Sequence, residues 1–347
     1  MSDLHNPARA KRVAVLGSGQ MGLVCAGILT AAGDAVTLWS HSDDEAGELT
    51  QTRRSPRLEG FALPDVVRVT SRLADAVGHA DLVVSAIPVQ FMRQVWASIG
   101  QSHSLPARAS IVSVAKGVEN GSLLRPTQII GACLRDDPDA RPRSVGVLSG
   151  PTIASELARC LPATMIAASD TPECAVELQH RFGCSWLRIY TSEDLLGVEL
   201  AGASKNVIAM AAGILDGLQA GYNAKSALLA RGLAEITRLG TAMGANRETF
   251  FGLAGVGDLA TTCFSPEGRN RSCGEALGRG EKLHDYLGRI SSVVEGVATT
   301  KSLVDLAAKY RVDMPITQAV HAVLFEGLDP IDAIARLMSR ELKAERM

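Results

Sequence analysis

Six residues near the start of the chain constrain its fold more than any others: Gly17-Ser18-Gly19-Gln20-Met21-Gly22, a GxGxxG. The motif directly follows the run VAVL and directly opens a segment with helical spacing. Without that setting a GxGxxG says little; within it, each glycine has a physical reason. The first permits a tight strand-to-helix turn, the second lets backbone approach a pyrophosphate, and the third lets helix pack on strand. Free N–H groups at the helix start then attract the anion. This order predicts a βαβ unit that holds a dinucleotide.

The rest of the first half extends that unit. Short β-branched runs recur at 12–16, 35–39, 66–70, 82–87, 110–114, 145–148, 164–167 and 187–190, most of them separated by helical stretches such as 21–32 and 91–99. Strand-helix alternation of this kind builds a largely parallel sheet. After about Thr191 the valine-rich runs stop, and long Ala-, Leu- and Gly-containing segments follow at 195–214, 224–243 and 296–310. Met314-Pro315 suits a helix start with proline at its first position, and Ile316, Val320, Val323 and Leu324 give that helix an apolar face. The expected fold is an α/β N-terminal Rossmann-type domain with a mostly parallel sheet, followed by an all-α C-terminal domain. Residues 1–195 are read as dinucleotide-binding and 196–347 as substrate-binding and catalytic.

Composition excludes several partners. A net charge of −2, a pI near 6.4 and 4% aromatic residues give no basic surface and few stacking platforms for nucleic acid, and no attraction to an anionic membrane. The seven cysteines are scattered and lack metal-site spacing with histidine, as expected of reduced thiols in a cytosolic protein. The N-terminal sequence lacks the apolar core of a secretory signal, and no apolar stretch is read as reaching the ~20 residues of a bilayer span. A cytoplasmic protein without an integral membrane segment, and without a metal, is expected.

Cofactor selectivity is read at the end of the second strand. An NAD-specific cradle places an acid there, about 20 residues after the glycines, to bond the ribose hydroxyls. Here the strand ends Leu38-Trp39-Ser40-His41, with Asp43 and Asp44 following. Ser40 and His41 tolerate a 2′-phosphate that a carboxylate at the tip would repel. No arginine is adjacent in sequence, so the reading favours NADP(H) and still admits NAD(H).

Five further segments carry chemistry. Lys205, in GASKNVIAMAAG, has only Ala201, Gly202, Ile208 and Ala209 as same-face helical neighbours, none of them an acid. It is either at a helix end with its ammonium in water, or held in a desolvated site. Lys116 follows the strand SIVSVA, at the edge where α/β ligands bind, although a solvated loop lysine is the commoner case for one residue alone. Ser149-Gly150-Pro151-Thr152 follows the strand VGVL, and Thr152 is placed to cap a helix or touch a ligand. Asp258, in GVGDLATTC, reads locally as a helix N-cap. Gly268-Arg269-Asn270-Arg271 supplies guanidinium and amide donors that match phosphate oxygens, or else a solvated face.

Taken together and in order, GSGQMG, AKG, SGPTIASELA, KNVIA, GVGDLATTC, GRNR and VVEG resemble the NAD(P)-dependent glycerol-3-phosphate dehydrogenases of bacterial type, over roughly residues 12–340. The resemblance implies reversible reduction of dihydroxyacetone phosphate to sn-glycerol 3-phosphate, supplying glycerophospholipid synthesis, in proteins that are usually cytoplasmic and often dimeric. It implies Lys205 as the catalytic lysine. Lys116, Gly150, Thr152, Asn206, Asp258, Gly268, Arg269 and Asn270 match substrate positions. Gly17, Gly19, Gln20, Met21, Gly22, His41, Lys116, Ala154, Arg269, Val293 and Glu295 match cofactor positions. The chain departs from the family at Gln20-Met21, where many relatives have a small residue and an aromatic, at Gly268, where many have serine, and in SPRLEGFALP. A dehydrogenase of β-hydroxy acids would not require GRNR, and a non-catalytic dinucleotide sensor would not require Lys116, Lys205, Asp258 and Arg269 together.

Overall fold

The computed structural model describes residues 10–134, 143–290, 292–342 and 344. The first half runs β1 (Arg12–Leu16), α1 (Gln20–Ala31), β2 (Ala35–Trp39), α2 (Asp43–Thr52), β3 (Arg68–Thr70), α3 (Leu73–Val77), β4 (Leu82–Ser85) and α4 (Val89–Ser102). It continues through β5 (Ser110–Ser113), α5 (Pro126–Leu134), β6 (Val145–Ser149), α6 (Ala154–Ala158), β7 (Ala163–Ser169), α7 (Pro172–Phe182) and β8 (Leu187–Ser192). One eight-stranded sheet results, in the order β3-β2-β1-β4-β5-β6-β7-β8. Every neighbouring pair is parallel except β6 and β7. Strand order reverses between β1 and β4, and that reversal opens a crevice at the carboxyl ends of the strands, where ligands of open α/β sheets bind.

Helices cover both faces, so the strands are apolar on both sides. Val13 and Val15 of β1 join one buried cluster with Leu23 and Leu29 of α1, while Ala14 and Leu16 join another with Trp96 and Ile99 of α4. This is the period-two alternation of a strand expressed as two cores. The run expected at 66–70 narrows to Arg68–Thr70, paired with β2 at the sheet edge.

The second half is helical: α8 (Leu195–Gly217), α9 (Gly221–Met243), α10 (Arg247–Phe251), α11 (Asp258–Phe264), α12 (Arg269–Gly278), α13 (Leu283–Gly288), α14 (Glu295–Tyr310), α15 (Pro315–Phe325) and α16 (Pro330–Met338). A π-helical turn over Leu253–Gly257 precedes α11. Pro315 stands in the first turn of α15, with Ile316, Val320 and Leu324 buried. The buried Glu235 of α9 accepts from the N–H groups of Ile316 and Thr317 at 2.8 Å each, which closes the start of α15.

The helix α8 is the axis of this half. Among the described residues it is the one helix long and apolar enough to cross a membrane, contrary to the expectation of no such stretch, yet its apolar window is wholly buried in the fold. A helix that is apolar all round belongs in a core. Glycines let α12 cross it closely: a Cβ at Gly274 would lie 2.0 Å from Met210 O. Glu199 of α8 accepts from Thr127 N at 2.9 Å and Thr127 Oγ1 at 2.8 Å, and pairs with Arg125. That fastens α8 to the start of α5 in the sheet-bearing half, with burial pushing the Glu199 carboxyl above its usual pKa.

Candidate active site

Lys205 lies in mid-α8 with 6% of its surface exposed, which excludes the helix-end alternative. Its partners come from elsewhere: Nζ donates to Asp258 Oδ1 at 2.5 Å and to Thr262 Oγ1 at 2.6 Å. The other oxygen of Asp258 accepts from Lys116 Nζ, which also donates to Gly150 O at 3.1 Å. One fully buried carboxylate is thus shared by two ammonium groups that arrive from α8 and from the end of β5. Each ammonium has three N–H donors, and these contacts use two of them on each lysine. Burial pushes the Lys116 pKa down to about 8; Asp258 opposes the shift and Lys205 adds to it.

Asp258 reaches this position through the π-helical turn. Gly257 N bonds to Gly252 O at 3.2 Å, five residues back, which rotates the start of α11 toward α8. Gly255 is required there, because a Cβ would lie 1.9 Å from Phe250 O. The local reading of Asp258 as an N-cap is therefore corrected. Gly257 precedes α11 without a side-chain cap, and the Asp258 carboxylate is spent on the lysines. Sequence reasoning missed Thr262, although its signal was present: positions 258 and 262 share a helix face.

Asn206 and Asn270 join this cluster to the start of α12. Asn206 Nδ2 donates to Lys116 O at 3.2 Å and its Oδ1 accepts from Asn270 Nδ2 at 2.9 Å, while Asn270 Oδ1 accepts from Gly296 N at 2.8 Å. Each amide nitrogen uses one of its two N–H donors in these bonds. The helix start after Gly268, whose φ of −72° needs no glycine, adds Arg269 and first-turn N–H groups, donors of a kind that match phosphate oxygens. Glu295 opens α14 beside Val293, and its carboxyl is pushed up by burial against the opposing charges of Arg269, Lys205 and Lys116. Thr152 does not cap a helix: α6 starts at Ala154, and Thr152 Oγ1 donates to Gly150 O at 3.2 Å. Gly150 adopts φ +135°, where a Cβ would lie 3.0 Å from Thr164 O.

The glycine loop fits a dinucleotide. Gly17 has φ +112° and its Cβ would meet Ala86 O at 2.7 Å, while a Cβ at Gly22 would fall 1.8 Å from Gly17 O. A Cβ at Gly19 would meet no described residue within 4 Å apart from its own chain neighbours, so the α1 start faces open space there. Met21 packs against the apolar cluster beneath the loop, whereas the Gln20 side chain donates to Arg57 O at 2.7 Å. At the tip of β2, Ser18 Oγ donates to Ser40 Oγ at 2.9 Å, and Ser40 Oγ donates to Glu45 Oε2 at 2.9 Å. His41 is exposed at the rim. The acid absent from the strand tip is thus delivered five residues later, and a basic partner comes with it, since Arg57 Nε lies 3.2 Å from Glu45 Oε1.

A dinucleotide cradle at a strand-order reversal, with a buried lysine–aspartate–lysine cluster built jointly from the end of β5 and the helical half, defines a two-domain dehydrogenase of the nicotinamide-dependent class. Comparison with known proteins gives the family. The N-terminal profile of NAD-dependent glycerol-3-phosphate dehydrogenase matches residues 12–175 and its C-terminal profile matches 194–335, so the chain belongs to that family. A glycerol-3-phosphate dehydrogenase [NAD(P)+] 2 of Mycobacterium bovis is 45% identical, covering 97% of this chain and 99% of that protein. A glycerol-3-phosphate dehydrogenase [NAD(P)+] of Chlorobium limicola is 43% identical over 96% of this chain and 99% of that one. The crystal structure of glycerol-3-phosphate dehydrogenase from Coxiella burnetii superimposes with a TM-score of 0.90 at 33% identity, covering 95% of this chain and 99% of that one.

Proposed function

We propose that the chain reversibly reduces dihydroxyacetone phosphate to sn-glycerol 3-phosphate, preferring NADP(H) to NAD(H), with residues 1–195 holding the dinucleotide and 196–347 the substrate. The observation that carries this reading is the sharing of Asp258 by Lys205 and Lys116, which leaves one N–H on each ammonium for a substrate oxygen. When bound in the glycine-loop cradle, the dinucleotide would supply hydride-transfer chemistry at substrate C2 in either direction.

The protein's own groups do the rest. As the ketone oxygen gains negative charge, Lys205 donates a proton to it and later regains one from solvent. Such a positioned acid contributes on the order of a hundred- to ten-thousand-fold. Asp258 keeps both ammoniums aimed and balances their charge. Arg269, with first-turn N–H groups of α12, holds the phosphate end, so C2 is presented at a fixed distance from the lysine. Asn206 and Asn270 position this machinery by tying Lys116 O to α12. A cytoplasmic homodimer that feeds glycerophospholipid synthesis is the physiological setting that goes with this reading.

Oxidation of NADPH on addition of dihydroxyacetone phosphate, repeated with NADH, tests the reading directly. Turnover with a β-hydroxy acid substrate and none with the phosphorylated ketone would replace it.

A further inference from the structure

The sequence places no arginine beside the tip of β2, but the fold does. The loop after α2 returns past the glycine motif, and its backbone is held there by the bond from Gln20 Nε2 to Arg57 O. A cavity of about 430 Å³ opens at this point, and its walls carry His41, Arg54 and Arg57 together with Asp44, Glu45 and Glu48. Within it Glu45 is the fixed element: its side chain is 18% exposed, one oxygen accepting from Ser40 and the other lying beside Arg57 Nε. Arg57 is the adaptable element. Its side chain is half exposed, and its terminal Nη groups have no hydrogen-bond partner among the described residues.

This arrangement provides two recognition chemistries side by side. A carboxylate accepts from ribose hydroxyls, whereas a guanidinium with free Nη groups matches the fork of a phosphate. Their mutual pairing keeps either charge from being left alone when the other group is engaged. We propose that Arg57, held over the cradle through Gln20, recognises the 2′-phosphate of the adenosine end, and that Glu45 recognises the 2′-hydroxyl of the unphosphorylated cofactor. The pair thereby sets the balance between the two dinucleotides. The departure Gln20 acquires a reason, since its side chain holds the arginine's segment rather than the cofactor. The inference rests on the dinucleotide reading of the glycine loop.

Binding, not turnover, tests it. The full-length protein is titrated with NADPH, NADH, 2′,5′-ADP and 5′-ADP, followed by calorimetry and by nicotinamide fluorescence. Arg57→Gln is expected to weaken NADPH and 2′,5′-ADP by about tenfold or more, the scale of a charge-assisted hydrogen bond, while NADH and 5′-ADP stay within about twofold. Arg57→Lys recovers part of the loss, and Glu45→Gln weakens NADH while tightening NADPH. Gln20→Ala gives a smaller loss confined to the 2′-phosphorylated ligands. Equal effects of Arg57→Gln on both dinucleotides, or none on either, overturn the assignment while leaving the dinucleotide site standing. Failure of the unaltered protein to bind any of the four ligands removes the site and the assignment together.

Discussion

Lys205 Nζ and Asp258 Oδ1 lie 2.5 Å apart although 53 positions separate them in the chain. No acid stands three or four residues from Lys205 on α8, and Asp216 three turns on pairs with Lys225 and Arg271, so the counter-ion is brought by the π-helical turn before α11. Removing either member of the pair has a different physical consequence, because Asp258 has a second ammonium partner and Lys205 has no second carboxylate hydrogen-bonded to it among the described residues.

Lys205→Met is therefore expected to fold, since Asp258 keeps Lys116, and to lose turnover by a factor of about a hundred to ten thousand. NADPH affinity should stay within about twofold. Steady-state kinetics and a fluorescence titration of the same preparation check both statements; near-normal kcat would remove Lys205 from the chemistry.

Asp258→Asn should behave oppositely, leaving two buried ammoniums facing each other. Breaking a buried charged pair costs about 3–5 kcal/mol, and urea denaturation should show a loss on that scale. Adding Lys205→Met to Asp258→Asn removes one of the repelling charges and should recover part of the stability with no recovery of activity. A double variant less stable than Asp258→Asn alone would contradict the shared-carboxylate account.

Lys116 gives the site a pH dependence. Its pKa is depressed to about 8, so the ammonium is charged below that pH and neutral above it. The substrate's phosphate has its second pKa near ~6 and is already dianionic there. Attraction for the substrate should then fall as pH rises through about 8, seen as a rising KM in the reductive direction. In Lys116→Arg the cation persists throughout this range, so the KM rise should flatten whatever the absolute value becomes.

Arg269→Ala should raise KM for the phosphorylated ketone with a smaller effect on cofactor affinity. The lost guanidinium is one of the charges that offset the burial of Glu295, so the carboxyl of Glu295 should also move further upward. An unchanged KM would take Arg269 out of the phosphate site.

What the sequence made legible is what short segments carry by themselves. The glycine loop after β1 and the proline at the start of α15 are local chemistry, and both are found where the pattern placed them. The motifs around Lys205, Lys116 and Asp258 could be seen, yet their meeting could not, because it depends on three segments converging. Local rules misled at Asp258, where capping is displaced by a π-helical turn, and of the two alternatives at Thr152 the cap is removed by a helix that starts two residues later. Arg57 was illegible because the loop that carries it is placed by a tertiary bond to Gln20.

The π-helical turn makes the sharpest test of how backbone aims the site. A Cβ at Gly255 would lie 1.9 Å from Phe250 O, a backbone atom that moves only if the turn moves. At Gly257 the nearest atoms to a built Cβ are 3.7 Å away and φ is −61°, so alanine fits. Gly255→Ala should therefore cost about 1–3 kcal/mol as an overpacked position and shift Asp258 relative to Lys205. A misplacement of about 1 Å at a reacting centre lowers rate on the order of a hundredfold, so kcat should fall far more than stability alone explains. Gly257→Ala, two residues on, should leave both near their starting values. If the two variants lost activity equally, the π-helical turn would be a feature of the loop's flexibility and not the device that brings the carboxylate to the lysines.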